Sequence, residues 1–177
     1  MTTDYHKQVE NALTLLGHEC EENGKIRHVY RGNEMPLSIV DPHSKNSIKY
    51  KPDVYYILKN NKKLIFEVLD TELGKQSEII ADTIESYLVE NVDGLIFIHY
   101  GDDSAEKNII EAFTTIYKGL TTVKKIKESE LPSLKKTGAY RITRRQANNP
   151  QSIQNKLTEF AIEEHWFKTP PPKNQLN

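Results

Sequence analysis

Two carboxylates stand where a lone charge is costly. Glu67 lies inside Leu64-Ile-Phe-Glu-Val-Leu69, with apolar residues on both sides. A carboxylate buried among such neighbours is expensive unless it is paired, hydrogen-bonded or bound to a metal ion. Asp53 follows Pro52 near the start of the preceding apolar stretch, and the turn signal Asn60-Asn61 lies between the two acids. A hairpin there brings Asp53 and Glu67 side by side. Two carboxylates converging on adjacent strands make a hard-oxygen site suited to Mg²⁺ or Mn²⁺. Such an ion can polarise a phosphodiester and steady its leaving oxygen. Each acid also has an ordinary reading. Asp53 can be a strand-entry residue, Glu67 a salt-bridge partner, and Glu10 a helix-surface residue. The arrangement says more than any one member.

The elements that must position these acids can be read from periodicity. Val9, Ala12, Leu13 and Leu16 recur at helical spacing, which predicts a helix over 4–22 ended near Gly24. Residues 25–31 alternate charged and apolar side chains, as a half-buried strand does. Leu37-Ser-Ile-Val40 is a further short strand candidate, with a turn at Asp41-Pro42. Residues 49–59 and 63–70 are rich in strand formers, and the second run is apolar on both faces, as a central strand is. A helix fits 75–90, with Ile79, Ile80, Ile84, Tyr87 and Leu88 on one stripe. Gly94 to Tyr100 is a short apolar strand, expected to lie parallel to an earlier one because a helix precedes it. A helix over 103–118 would turn Ile109, Ile110, Phe113 and Ile116 inward, and Asp102-Asp103 would cap it. Residues 123–126 read as an edge strand, and Pro150 opens a last helix to about Trp166.

This order resembles the PD-(D/E)XK nuclease superfamily, which includes restriction endonucleases, Holliday-junction resolvases and RecB-like nuclease domains. The features are a helix with an acid (Glu10), a strand, a Pro52-Asp53 strand, a central strand with Glu67, a helix and a strand. They span about residues 5–100. The resemblance implies an α/β fold, with a mixed central β-sheet flanked by helices, restriction endonuclease-like. It implies that Asp53 and Glu67 bind the metal, with the backbone carbonyl of Val68 as a further ligand. Glu10 becomes the auxiliary acid, and Gln76 resembles a glutamine that RecB-like members place after the central strand. The expected function is metal-dependent hydrolysis of phosphodiester bonds in DNA, with Mg²⁺ or Mn²⁺ as cofactor and a homodimer as a possible assembly.

The pattern departs at one position. The family carries a lysine two residues after the glutamate, and here that residue is Leu69. A lysine would orient the attacking water and offset charge on the phosphate; leucine does neither. Either another lysine reaches the site, with Lys51 and Lys75 as candidates, or catalysis is lost. In the second case the chain is an inactive nuclease-like module that binds nucleic acid or a protein partner.

Charge is segregated along the chain. The 177 residues sum to a net charge of −1, yet residues 67–93 hold eight acids and one base, whereas 118–145 hold nine bases and two acids. Lys124, Lys125, Lys127, Lys135, Lys136, Arg141, Arg144 and Arg145 in the second stretch are candidates for gripping phosphate. A solvated surface would give the same composition. The reading is one nuclease-like domain over 1–166, with a basic extension over 118–166 and a loose tail over 167–177. One cysteine, Cys20, excludes an internal disulfide framework. The six histidines show no metal-ligand spacing, and no phosphate-binding glycine loop is present. No run is apolar and long enough to span a bilayer, and the start has no apolar leader, so an intracellular, cytoplasmic protein with no membrane partner is expected.

Overall fold

The computed structural model describes residues 4–31, 39–40, 49–50, 52–69, 92–122 and 137–163. The first half of the chain gives α1 (Asp4–Glu22), β1 (His28–Arg31), β2 (Ile39–Val40), β3 (Lys49–Tyr50), β4 (Val54–Ile57) and β5 (Lys63–Val68). The second half gives β6 (Val92–His99), α2 (Asp103–Thr122), β7 (Thr137–Arg141), α3 (Arg144–Ala147) and α4 (Pro150–Glu163). Five strands form one sheet in the order β1-β4-β5-β6-β7, and β2 pairs separately with β3. The β1–β4 and β4–β5 pairs are antiparallel, and β5, β6 and β7 run parallel. The expected α/β architecture with a mixed sheet is therefore present.

The helical stripe of α1 produces the main core. Val9, Ala12, Leu13, Leu16 and Cys20 pack over Val29, Val54, Tyr56, Leu64, Phe66, Ile96 and Ile98 from one face of the sheet. Gly24, at φ +70°, closes the helix in the left-handed region that glycine tolerates, and the Lys25 amide donates back to the Cys20 carbonyl (2.8 Å). Asn61 takes φ 66° in the β4–β5 turn, a conformation asparagine adopts more readily than most residues. On the other sheet face Tyr55, Ile65, Leu95 and Phe97 are buried as well, which is why the central strands read as continuous apolar runs.

Several expectations are corrected. The continuous strand over 49–59 is two strands in different sheets, with Asp53 in the bend between them. Ile110 is exposed, whereas Ile109 is buried as expected. The segment read as a basic extension supplies the fifth strand, β7, and Ile142, Ala147, Ile153 and Leu157 join the core under α1. Lysine-rich flanks hide that strand, of which Tyr140 packs against the core and Arg141 is exposed. The expected helix over 75–90 and edge strand over 123–126 lie outside the described residues. Among the described residues no helix is long and apolar enough to cross a membrane.

Helix α1 sits close to the sheet because residue 17 is glycine. A Cβ there would lie 2.5 Å from Val29 Cγ2 and 2.7 Å from Tyr56 Cε1. Tyr56 cannot easily retreat: its hydroxyl donates to the Leu13 carbonyl (2.5 Å) and its ring packs on Phe66, with centroids 4.8 Å apart. Gly17→Ala should therefore cost about 1–3 kcal/mol through overpacking, outweighing the roughly 1 kcal/mol helix-propensity gain. Urea denaturation reads this directly. A variant as stable as the parent would mean that α1 is not seated this tightly.

Candidate metal centre

The sheet brings its polar residues to one edge. Strands β5, β6 and β7 end there, and β4 begins there, because it is antiparallel to β5. The last paired residues of β4 and β5 are Val54 and Phe66, so the next step of the register sets Asp53 across from Glu67. The hairpin thus brings the two acids to adjacent positions. Their side chains behave differently. Glu67 is half-buried and alternates with Phe66 and Val68, which face α1, so it leaves the sheet on the other face. Asp53, in the bend, turns toward α1.

Asp53 is held from two sides. Its Oδ2 accepts the Val68 backbone N–H (2.8 Å), and its Oδ1 lies 3.0 Å from His6 Nε2. His6 Nδ1 lies 3.2 Å from Glu10 Oε2, one helical turn along α1. Among the described residues, His6, Glu10 and Asp53 form the one group whose ligand atoms converge closely enough to hold a metal ion. All three are half-buried, with side chains 16–22% exposed, so an ion could reach them from solvent. Of the expected ligands Asp53, Glu67 and the Val68 carbonyl, Asp53 is the one whose side chain belongs to this group. Asp53 converges with His6 and Glu10, and Val68 contributes its amide to Asp53.

The 3.0 Å and 3.2 Å separations run to different nitrogens of the His6 ring, Nε2 and Nδ1, and a single ion would take only one of them; one ligand atom from each of the three residues lies within 4.8 Å of the others. One imidazole with two carboxylates is a mixed nitrogen and oxygen set. It fits Mn²⁺ or another first-row divalent ion better than Mg²⁺, which prefers oxygen alone.

His6 has no histidine partner at a metal-ligand spacing, so histidine spacing alone does not reveal it. The usable signal was the His6-to-Glu10 spacing, which puts both on one helix face. Arg31 is equally hidden in the sequence. It shares strand parity with buried Val29, so it lies beneath α1, and its Nε is 3.4 Å from Glu10 Oε1.

The remaining candidates fall into three groups. Leu69 is in place at the strand end, its N–H donating to the Ile98 carbonyl (2.8 Å). Lys51, Lys75, Gln76, Lys124, Lys125, Lys127, Lys135 and Lys136 lie outside the described residues. Arg141, Arg144 and Arg145 are exposed at the end of β7 and the start of α3. Arg141 pairs with Asp103 (3.1 Å) at the start of α2, where Asp102 Oδ1 accepts the Ala105 N–H (3.0 Å) as the expected cap. The Arg144 guanidinium lies over the Tyr100 ring at 4.3 Å and donates to its hydroxyl (2.9 Å). Tyr100 meets the edge of Tyr5, the residue beside His6, at 4.9 Å. The Tyr5 hydroxyl in turn donates to the Ile142 carbonyl (2.8 Å). Two aromatic rings packed edge to face therefore tie Arg144 to the edge that carries the candidate metal group. Cys20 is buried, and burial pushes its thiol up to about 11, which leaves it inert.

Neither family models, characterised proteins nor solved structures give a match to this chain.

Proposed function

We propose that the chain is a metal-dependent nuclease acting on DNA, built on a restriction endonuclease-like sheet. The carrying observation is Asp53: a carboxylate at the sheet edge, pinned by the Val68 amide and converging with His6 and Glu10. Two further features support the reading. The sheet is mixed, with β1–β4 and β4–β5 antiparallel and β5–β6 and β6–β7 parallel, and a mixed central sheet is what the PD-(D/E)XK resemblance implies. Ligands of α/β sheets also gather outside the carboxyl ends of parallel strands.

A divalent cation bound at this edge supplies Lewis-acid polarisation of a phosphoryl oxygen. The chain's own residues do the rest. Asp53, Glu10 and one nitrogen of His6 would hold the cation, and the buried Val68 amide fixes the Asp53 carboxylate. Arg144, held on Tyr100, presents a planar guanidinium to the phosphate backbone. The test is cleavage of plasmid and branched DNA by the full chain with Mn²⁺ and with Mg²⁺. No cleavage with either ion defeats the catalytic reading.

Arg144 gives a separate expectation. Arg144→Ala should weaken DNA binding several-fold and lower the slope of log K against log salt by about one, as loss of one phosphate contact does. An unchanged slope would remove Arg144 from the interface.

Leu69 favours a second reading, a non-catalytic module of the same build that binds nucleic acid or a protein. It requires salt-dependent DNA or partner binding with no cleavage, indifferent to the carboxylates.

A further inference from the structure

We propose that Arg31 is a positioning residue for the metal group: it holds Glu10 so that the second Glu10 oxygen faces His6. The inference rests on the metal-site reading above.

Arg31 ends β1 and lies opposite Val54, the neighbour of Asp53. Its guanidinium reaches three residues of α1 at once. Nε lies 3.2 Å from Thr14 Oγ1 and 3.4 Å from Glu10 Oε1, and Nη2 donates to Asn11 Oδ1. These partners sit on neighbouring turns of one helix face, and Thr14 is itself fixed, its hydroxyl donating to the Glu10 carbonyl (2.7 Å). With Oε1 beside Arg31, Glu10 presents Oε2 to His6 Nδ1 at 3.2 Å. His6 Nε2 then faces Asp53 Oδ1, and Asp53 Oδ2 takes the Val68 amide. The polar groups run in one unbroken order: Arg31, Glu10, His6, Asp53 and the backbone of β5.

A planar fork suits this task and an ammonium does not. A guanidinium offers donors in several fixed directions, so it can hold a hydroxyl, an amide oxygen and a carboxylate together. A lysine at 31 would keep the positive charge but present a single point. Outer partners of metal ligands typically change metal affinity by about 10- to 100-fold when removed, because they set ligand orientation.

The test is calorimetric titration of Mn²⁺ into the full chain, comparing parent, Arg31→Lys, Glu10→Gln and the double variant. Arg31→Lys keeps the charge, so the long-range attraction or repulsion felt by the cation is preserved and lost orientation is what is read. The Mn²⁺ dissociation constant should rise about tenfold or more in Arg31→Lys. It should rise no further when Arg31→Lys is added to Glu10→Gln, since Arg31 acts through Glu10. Equal binding by Arg31→Lys and the parent overturns the proposal, and so does a full additional loss in the Glu10→Gln background. The ¹⁵N signals of the His6 ring in the metal-free chain provide a second readout. They should shift in Arg31→Lys as Glu10 swings away from Nδ1. If the parent takes up no Mn²⁺, the metal reading fails, and these signals alone decide on Arg31: an unchanged His6 spectrum overturns its positioning role.

Discussion

Asp53→Asn should lower Mn²⁺-dependent DNA cleavage by at least about a hundredfold while leaving the chain folded, a loss in the range seen when one electrostatic contributor to a transition state is removed. The reason lies in what asparagine keeps. Its amide oxygen can still accept the Val68 N–H that Asp53 Oδ2 now takes at 2.8 Å. The start of β4 thus stays tied to the end of β5. What disappears is the negative charge facing His6 at 3.0 Å, and with it one ligand of the candidate metal group. Asp53→Ala removes both. It leaves the Val68 amide without its side-chain partner, which should cost a further 1–3 kcal/mol or so of stability. Plasmid cleavage and urea denaturation, run on both variants, separate ligand loss from structural loss. Asp53→Asn cleaving as fast as the parent would place the activity elsewhere or identify it as a contaminant.

The same pair of variants discriminates between the catalytic and the binding reading. Position 69 offers leucine, and the guanidinium nearest the metal group, Arg31, contacts Glu10. Among the described residues, Arg144 is the cation tied to this edge of the sheet through Tyr100 and, edge to face, Tyr5. If the parent binds DNA without cutting it, and Asp53→Asn binds equally well, the module reading prevails.

The fold was more legible than the site. The amphipathic stripe of α1 and the apolar runs of β5 and β6 follow directly from burial, and residue type reports burial well. Asp53 beside Glu67 in register followed from one turn signal and a hairpin. Strand β7 was hidden because an edge strand needs few apolar residues, and its Thr137-Gly-Ala-Tyr-Arg141 sequence sits among lysines. The ligand set was harder still. Side-chain direction at a strand end depends on a bend, and Asp53 turns toward α1 where strict alternation would have kept it with Glu67. His6 and Arg31 acquire meaning only once α1 is laid across β1 and β4, a tertiary contact that local spacing does not contain.

His99 should make the protein lose stability on mild acidification, at a site separate from the metal group. Its side chain is 1% exposed at the end of β6. Nδ1 accepts the Gly101 N–H (3.1 Å), so the ring proton sits on Nε2, which has no hydrogen-bond partner among the described residues. Burial first, and the nearby Arg141 charge second, lower the ring's pKa from 6.5 to about 4, with Asp102 acting the other way. Asp103, paired with Arg141, moderates that cation. The direction of the effect follows from proton counting. Between about pH 6.5 and 4 the unfolded chain binds a proton at His99 that the folded chain refuses, so acid favours unfolding. The stabilisation is complete above pH 6.5 and falls away as pH drops toward 4, by at most about 3 kcal/mol for a shift of this size. His99→Asn can keep an acceptor for the Gly101 amide and does not titrate. In urea denaturation at pH 7 and pH 4.5, the parent should lose roughly 2–3 kcal/mol more than His99→Asn, since the carboxylates contribute alike to both. Parallel losses in the two proteins would mean that His99 accepts its proton in the folded state, and that the unpaired Nε2 is a vantage point for water rather than a dry donor.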